Sequence, residues 1–291
     1  MEQIDVLSTD RVLRPLDLAD EDWSAREKRR TYALRYFDFV VALSQFFGFL
    51  ALILSGYYFS IIDHGYQWGA KGANVTDDGP QPRNGFGNVN FHGLFMTVAL
   101  VFFQGEALLS YRVYRHEPRL MAKWVHAAFH FSAVVLVVFA MIAIVNHKNL
   151  GPVQLKHMYS IHSWLGVGIL SIYVVQLCIG FLAFFFPKVS QDLRRRFLPV
   201  QRTIGLTTFV ASLAQVVLGN QTYSWQIMTW GAQILGYKKY GECAMRLDCP
   251  QHPYLVQNFA MLAVVFYGIS VIVLLVNPKW RRDPTPDEKE A

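Results

Sequence analysis

The run Lys123 to Trp164, KWVHAAFHFSAVVLVVFAMIAIVNHKNLGPVQLKHMYSIHSW, is apolar in its middle and carries histidines at both ends. Between His126 and Asn146 it holds no Asp, Glu, Lys or Arg. At about 1.5 Å per helical residue that stretch covers roughly 30 Å, the hydrocarbon thickness of a bilayer. It reads as a transmembrane helix. His126 and His130 are four residues apart and share one face near its start, whereas His147, His157 and His162 gather near its far end and the start of the next helix. Histidine inside a bilayer costs free energy and is usually kept for a ligand, a proton or an interhelical hydrogen bond.

The rest of the chain extends this reading. Of 291 residues, 53% are hydrophobic and 15% aromatic, which is the composition of a polytopic membrane protein. The apolar segments long enough to span are about 37–62, 91–114, 124–146, 160–186, 200–219 and 256–276, so the fold class is an all-α bundle of six transmembrane helices. Residues 1–36 form an N-terminal segment, polar and expected to be disordered through Asp22, with Arg26, Lys28, Arg29, Arg30 and Arg35 just before the first span. That span reads as a retained signal anchor. Residues 37–277 make one transmembrane domain, and 278–291 a tail.

Charge sets the expected orientation. The N-terminus, the 112–123 loop, the 188–202 turn and the C-terminal tail hold 20 of the 27 lysines and arginines. The positive-inside rule makes these cytoplasmic, with both termini on that side. The sequons Asn74-Val75-Thr76 and Asn220-Gln221-Thr222 and the pair Cys243 and Cys249 then fall on the opposite side, where a glycan or a disulfide is permitted. Cys178 lies inside the fourth span and is read as packing. Trp225, Ile227, Met228, Trp230 and Ile234 suggest a short amphipathic helix, or a lid, in the loop after the fifth span. The net charge of +6 is sorted by loop, with no basic patch interleaved with aromatics, which argues against nucleic acid.

In this topology His92 and His162 share the outer level on helices that run in the same direction. Two neutral imidazoles on facing helices are the usual way a bundle grips the iron of a haem. On spacing alone, the alternative is a pair of hydrogen-bonded core histidines.

Several motifs carry a family resemblance: Asn90-Phe91-His92, the segment Ala107-Leu108-Leu109-Ser110-Tyr111-Arg112-Val113-Tyr114-Arg115, Lys123-Trp124-Val125-His126, Asn146-His147, and Met158-Tyr159-Ser160-Ile161-His162-Ser163-Trp164. In these, and in their order, the chain resembles the cytochrome b561 family of six-helix, two-haem ascorbate-dependent reductases. The resemblance covers about residues 37–277. It implies haem b in a central four-helix bundle of helices 2–5, with His92 and His162 on the outer haem. It implies an inner haem held by His126 and a histidine two residues after a proline at the start of the fifth helix. Here that position, after Pro199, is Gln201. The fifth span, VQRTIGLTTFVASLAQVVLG, has no His, Met or Cys to replace it. His130 shares the face of His126 and cannot oppose it; His116 in the adjacent loop is a further candidate. The outcomes are a five-coordinate or weakly six-coordinate inner haem, a substituted ligand, or no inner haem.

The resemblance also implies ascorbate as cytoplasmic donor, with Lys123, Arg194, Arg195 and Arg196 the closest matches to its contacts; Arg112 and Arg115 add charge at the same mouth, and Lys123 or a neighbouring base would assist proton loss. On the outer side it points to Asn146, His147 and Tyr159 near an acceptor, either monodehydroascorbate or ferric iron. His157 reads as solvated, and His64 and His252 have no assigned role. The family often forms homodimers, and its membranes include the plasma membrane and endosomal, lysosomal or secretory-vesicle membranes. Two other classes compete: a haem-binding sensor or scaffold without transmembrane electron flow, for which Gln201 speaks, and a cofactor-free channel or carrier, which leaves His92 and His162 unexplained.

Overall fold

The structure is a computed structural model, and it describes residues 15–62, 65–68, 88–150, 156–185, 189–226 and 252–281. Six helices carry the fold: α1 (Pro15–Ile61), α2 (Asn88–Val113), α3 (Arg119–Leu150), α4 (Ile161–Phe185), α5 (Gln191–Gln226) and α6 (His252–Val276). Each includes a stretch long and apolar enough to cross a membrane. The exposed side chains along them, such as Ile53, Phe131 and Leu182, are the large apolar ones that lipid would cover.

Two helices begin earlier than their apolar runs. Helix α1 starts at Pro15, so residues 15–22, expected to be disordered, are its first turns. Proline is suited to the first helical position, and Asp17, Asp20, Glu21 and Asp22 precede the basic run, the order that a helix dipole favours. Helix α5 starts at Gln191 and continues through Pro199. Arg194, Arg195 and Arg196 therefore stand on a helix rather than in a turn.

Helix α1 lies along α6, α2 contacts α1, α3, α5 and α6, and α4 lies along α5. Helices α3 and α4 meet through side chains, with Trp124 edge-on to Phe185 at 5.0 Å and His130 Nδ1 2.7 Å from the Tyr173 hydroxyl. The largest core cluster, which includes Phe102, Leu109, Phe209, Val264 and Tyr267, lies where α1, α2, α5 and α6 meet.

Helix α2 departs from α-helical geometry over Thr97–Phe103, which is π-helical. The i→i+5 pattern displaces carbonyls from their usual partners. The Tyr267 hydroxyl, fully buried on α6, lies 3.1 Å from the Phe102 carbonyl oxygen and 3.1 Å from Glu106 Oε1, which also accepts from Gln45 Nε2 at 2.9 Å. A Cβ at Gly105 would come within 2.2 Å of that hydroxyl and 2.8 Å of Cζ. Gly105→Ala should destabilise the bundle by about 1–3 kcal/mol, the usual cost of overpacking. Thermal unfolding in detergent checks this, and an unchanged midpoint contradicts it.

At the end of the bundle carrying His92, Asn90 Nδ2 donates to the carbonyls of Ile62 (2.9 Å) and Gly65 (2.8 Å), and its Oδ1 accepts from Tyr223 (3.0 Å). Gly65 has φ +71°, in the left-handed region that suits glycine. One buried amide two residues from His92 thus ties α1, α2 and α5 together.

Three further expectations change or fall outside the described residues. Asn220 is a buried helical residue whose amide donates to Val216 O at 3.0 Å, while its own carbonyl accepts from Gln257 Nε2 at 3.0 Å, so it is not a glycan site. Cys178 is exposed on α4 rather than packed. Trp225 is an exposed residue near the end of α5. Asn74, His64, Ile227, Met228, Trp230, Ile234, Cys243 and Cys249 lie outside the described residues, as do the His252 side chain and those of Arg26, Arg29 and Arg30.

Candidate haem centre

His92 opens α2 and His162 opens α4, and the structure brings the two rings together with centroids 6.4 Å apart and planes at 89°. Two imidazoles on opposite sides of one metal, each at a metal–nitrogen bond of about 2.0–2.1 Å, would have centroids roughly 6.3 Å apart. The ring spacing fits a metal-bridged pair, and it is also that of two rings in edge-to-face contact. His92 Nδ1 is 3.0 Å from the Ala140 carbonyl oxygen, so it donates, and Nε2 keeps the lone pair that a metal takes. The His162 ring packs on Gly219, where a Cβ would be 2.7 Å from Cε1. Among the described residues no group of three or more His, Cys, Asp or Glu could hold a bare metal ion. Two imidazoles are the protein ligands that a porphyrin-bound iron would take.

His147 and Lys148, in the last turn of α3, are within electrostatic range of His92, and Lys148 of His162 as well. Lys148 Nζ also donates to Lys156 O at 3.4 Å. The sequence reading did not single out Lys148. Its signal was its place beside His147 in the last turn of α3. Asn146 is half-buried, whereas Tyr159 is 79% exposed. His157 is exposed, with Nε2 2.8 Å from Asn149 Oδ1.

The opposite, basic end is built differently. His126 Nδ1 is 2.7 Å from the Ala107 carbonyl oxygen and donates to it, which again leaves Nε2 available. Its ring meets His130 edge-on at 4.5 Å and Tyr111 at 5.3 Å. Gln201 is tied to α4: its carbonyl accepts from Gln176 Nε2 at 2.9 Å, and its side chain rests on Gly180, where a Cβ would be 2.5 Å from Nε2. The residues here fit one imidazole ligand and not a pair. His116 is exposed in the turn between α2 and α3.

The basic residues separate into two groups. Arg112 donates to the carbonyls of Leu275 and Asn277, capping the end of α6. Arg115 lies 3.5 Å above the Phe37 ring, beside Trp280, in a cation–π contact. Both are thus engaged with α1 and α6. Lys123 instead stands 4.6 Å over the Phe185 ring with Arg194 acting on its charge, and Arg195 and Arg196 are exposed on the same helix as Arg194. Arg202, which sequence reasoning did not include, is exposed and acts on Tyr111 and Arg112.

Comparison with known proteins gives a consistent result. Residues 91–226 match the pattern of eukaryotic cytochrome b561, a region that contains His92, His126, His162 and Gln201. A transmembrane ascorbate-dependent reductase of Pongo abelii is 32% identical over 89% of this chain and 89% of its own length. The human protein of that description is 28% identical over the same shares. An ascorbate-specific transmembrane electron transporter of Zea mays is 33% identical over 67% of this chain and 75% of its own. The chain belongs to the eukaryotic cytochrome b561 family, and that membership implies haem.

Proposed function

We propose that the protein carries electrons across a membrane from cytoplasmic ascorbate to an acceptor on the lumenal or extracellular side, either ferric iron or monodehydroascorbate. The observation that carries the reading is the 6.4 Å spacing of His92 and His162, with His92 held in the tautomer that leaves Nε2 free. Haem b, when bound, supplies one-electron chemistry. Both termini and the basic end are cytoplasmic in this proposal, and the membrane is the plasma membrane or an endosomal, lysosomal or secretory-vesicle membrane.

The chain's own groups do the positioning. Lys123 and Arg194, Arg195 and Arg196 gather the ascorbate anion and donate hydrogen bonds to its enolate oxygens, with Arg202 adding charge beside Tyr111. Lys123 Nζ, as an ammonium, donates to the enolate oxygen left when the proton departs with the electron, and that proton passes to water or a neighbouring base. At the other end Lys148 attracts an anionic acceptor, and His147 and Asn146 orient it. Tyr159, exposed at that mouth, is assigned a contact to the acceptor or its chelate.

Lys123→Ala combined with neutralisation of Arg194, Arg195 and Arg196 should slow reduction by ascorbate at low salt by roughly tenfold or more, because electrostatic gathering is worth that much. The remaining rate should depend less on salt. The low-spin signal assigned to His92 and His162 should be unchanged. Unaltered reduction kinetics would mean that these charges only orient the chain in its membrane.

A second reading is kept for one observation. Gln201 occupies the expected ligand position and is engaged with α4. A sensor or scaffold with the outer haem alone follows if the inner site binds none. Vesicles with internal ascorbate and an external ferric chelate separate the two, since only the first reading predicts reduction outside.

A further inference from the structure

Across the seam between α4 and α5, two large side chains sit in reciprocal register over two glycines. The His162 ring lies over Gly219, where a Cβ would be 3.2 Å from Nδ1. Gln215 lies over Gly166, where a Cβ would be 3.7 Å from Oε1. Gly166 follows His162 by one turn, and Gly219 follows Gln215 by one turn. Because α4 and α5 lie side by side, that pattern makes His162 and Gln215 neighbours.

Two buried atoms there have no partner at full hydrogen-bond geometry, His162 Nδ1 and Gln215 Oε1, and both the side chain and the backbone of Gln215 lie within reach of the ring. Buried polar atoms in this state are costly, and the pair is chemically complementary. A ring nitrogen carrying hydrogen donates, and an amide oxygen accepts. The contrast with His92 is direct, since its Nδ1 already has the Ala140 carbonyl.

We propose that Gln215 is the positioning residue of His162, its Oε1 accepting the hydrogen bond from Nδ1–H when Nε2 is committed to haem iron. The inference rests on the assignment of His92 and His162 as the outer ligand pair. Metal ligation at Nε2 places the hydrogen on Nδ1 and creates the donor that Gln215 lacks. A stronger acceptor at Nδ1 raises the electron density of the imidazole and favours ferric iron, and loss of the acceptor favours ferrous iron. Of the two ligands, His162 is then the one whose basicity a single side-chain substitution can adjust.

The test is a redox titration of the purified haem-loaded protein and its variants, followed by the low-spin haem signal. Q215L and Q215M should both raise the midpoint potential, so that the ferrous-to-ferric ratio at a fixed potential rises several-fold. Q215E, isosteric with glutamine, should lower it. The neutral pair separates the hydrogen bond from the effect of a bare charge, and Q215M serves if Q215L does not fold. Low-spin haem at full content with the same potential in wild type, Q215L and Q215M would overturn the role of Gln215 while leaving the ligand pair intact. Absence of any low-spin haem in the wild-type protein would overturn the ligand pair itself, and this proposal with it.

Discussion

Replacing His92 with Ala, or His162 with Ala, should abolish the low-spin haem signal of the outer site, each substitution alone being sufficient. The two rings stand at 6.4 Å, and each comes from a different helix, so each substitution removes one side of the pair. Asn90 and Tyr223 continue to tie the helix ends, which keeps the bundle folded while the ligand is lost. His157→Ala is the control: its ring is exposed and bonded to Asn149, and its removal should leave the signal intact. Haem content per chain, with the reduced-minus-oxidised spectrum, reads all three variants. Full low-spin haem in both alanine variants would contradict the assignment.

The second large effect concerns Gln201. Any haem bound at His126 has an imidazole on one face, with Nδ1 held by the Ala107 carbonyl, and no imidazole or thioether donor on the helix that should supply the other. A glutamine oxygen is a weak ligand for such iron. The iron should therefore be five-coordinate, or six-coordinate through water or a weak oxygen, and partly high-spin. Its open face should take cyanide, carbon monoxide or imidazole. Gln201→His should convert that signal to low-spin and close the face to added ligands. Gly180 helps, because the absence of a Cβ there leaves room beside residue 201. A Gln201→His variant that still binds cyanide would show that residue 201 does not approach the iron.

The membrane-spanning architecture was legible in the sequence because one physical signal dominates it. An uncharged apolar run of bilayer length would be insoluble on a protein surface, and all six such runs coincide with helices. That the rings of His92 and His162 lie near each other was legible from equal depth on two helices of the same direction. What escaped depended on side-chain partners that spacing does not reveal. Arg112 and Arg115 belong to a basic loop by sequence, yet the free carbonyls at the end of α6 and the face of Phe37 claim them. Lys148 reads as a helix-end cation until the fold brings it within electrostatic range of two imidazoles. The π-helical stretch of α2 has no signature in TVALVFF, and the hydroxyl that bonds its Phe102 carbonyl comes from Tyr267, on α6. Asn220 reads as a sequon in a loop because the polar NQTYS follows the apolar run, whereas α5 continues through it to Gln226.

The most direct test is haem stoichiometry on the purified protein combined with low-temperature electron paramagnetic resonance of the ferric form. The account predicts one low-spin, bis-imidazole haem per chain that survives Gln201→Ala and is lost with His92→Ala. Any second haem should be high-spin or mixed-spin and sensitive to cyanide. Two low-spin haems in the wild-type protein, or a low-spin signal that persists without His92, would contradict it.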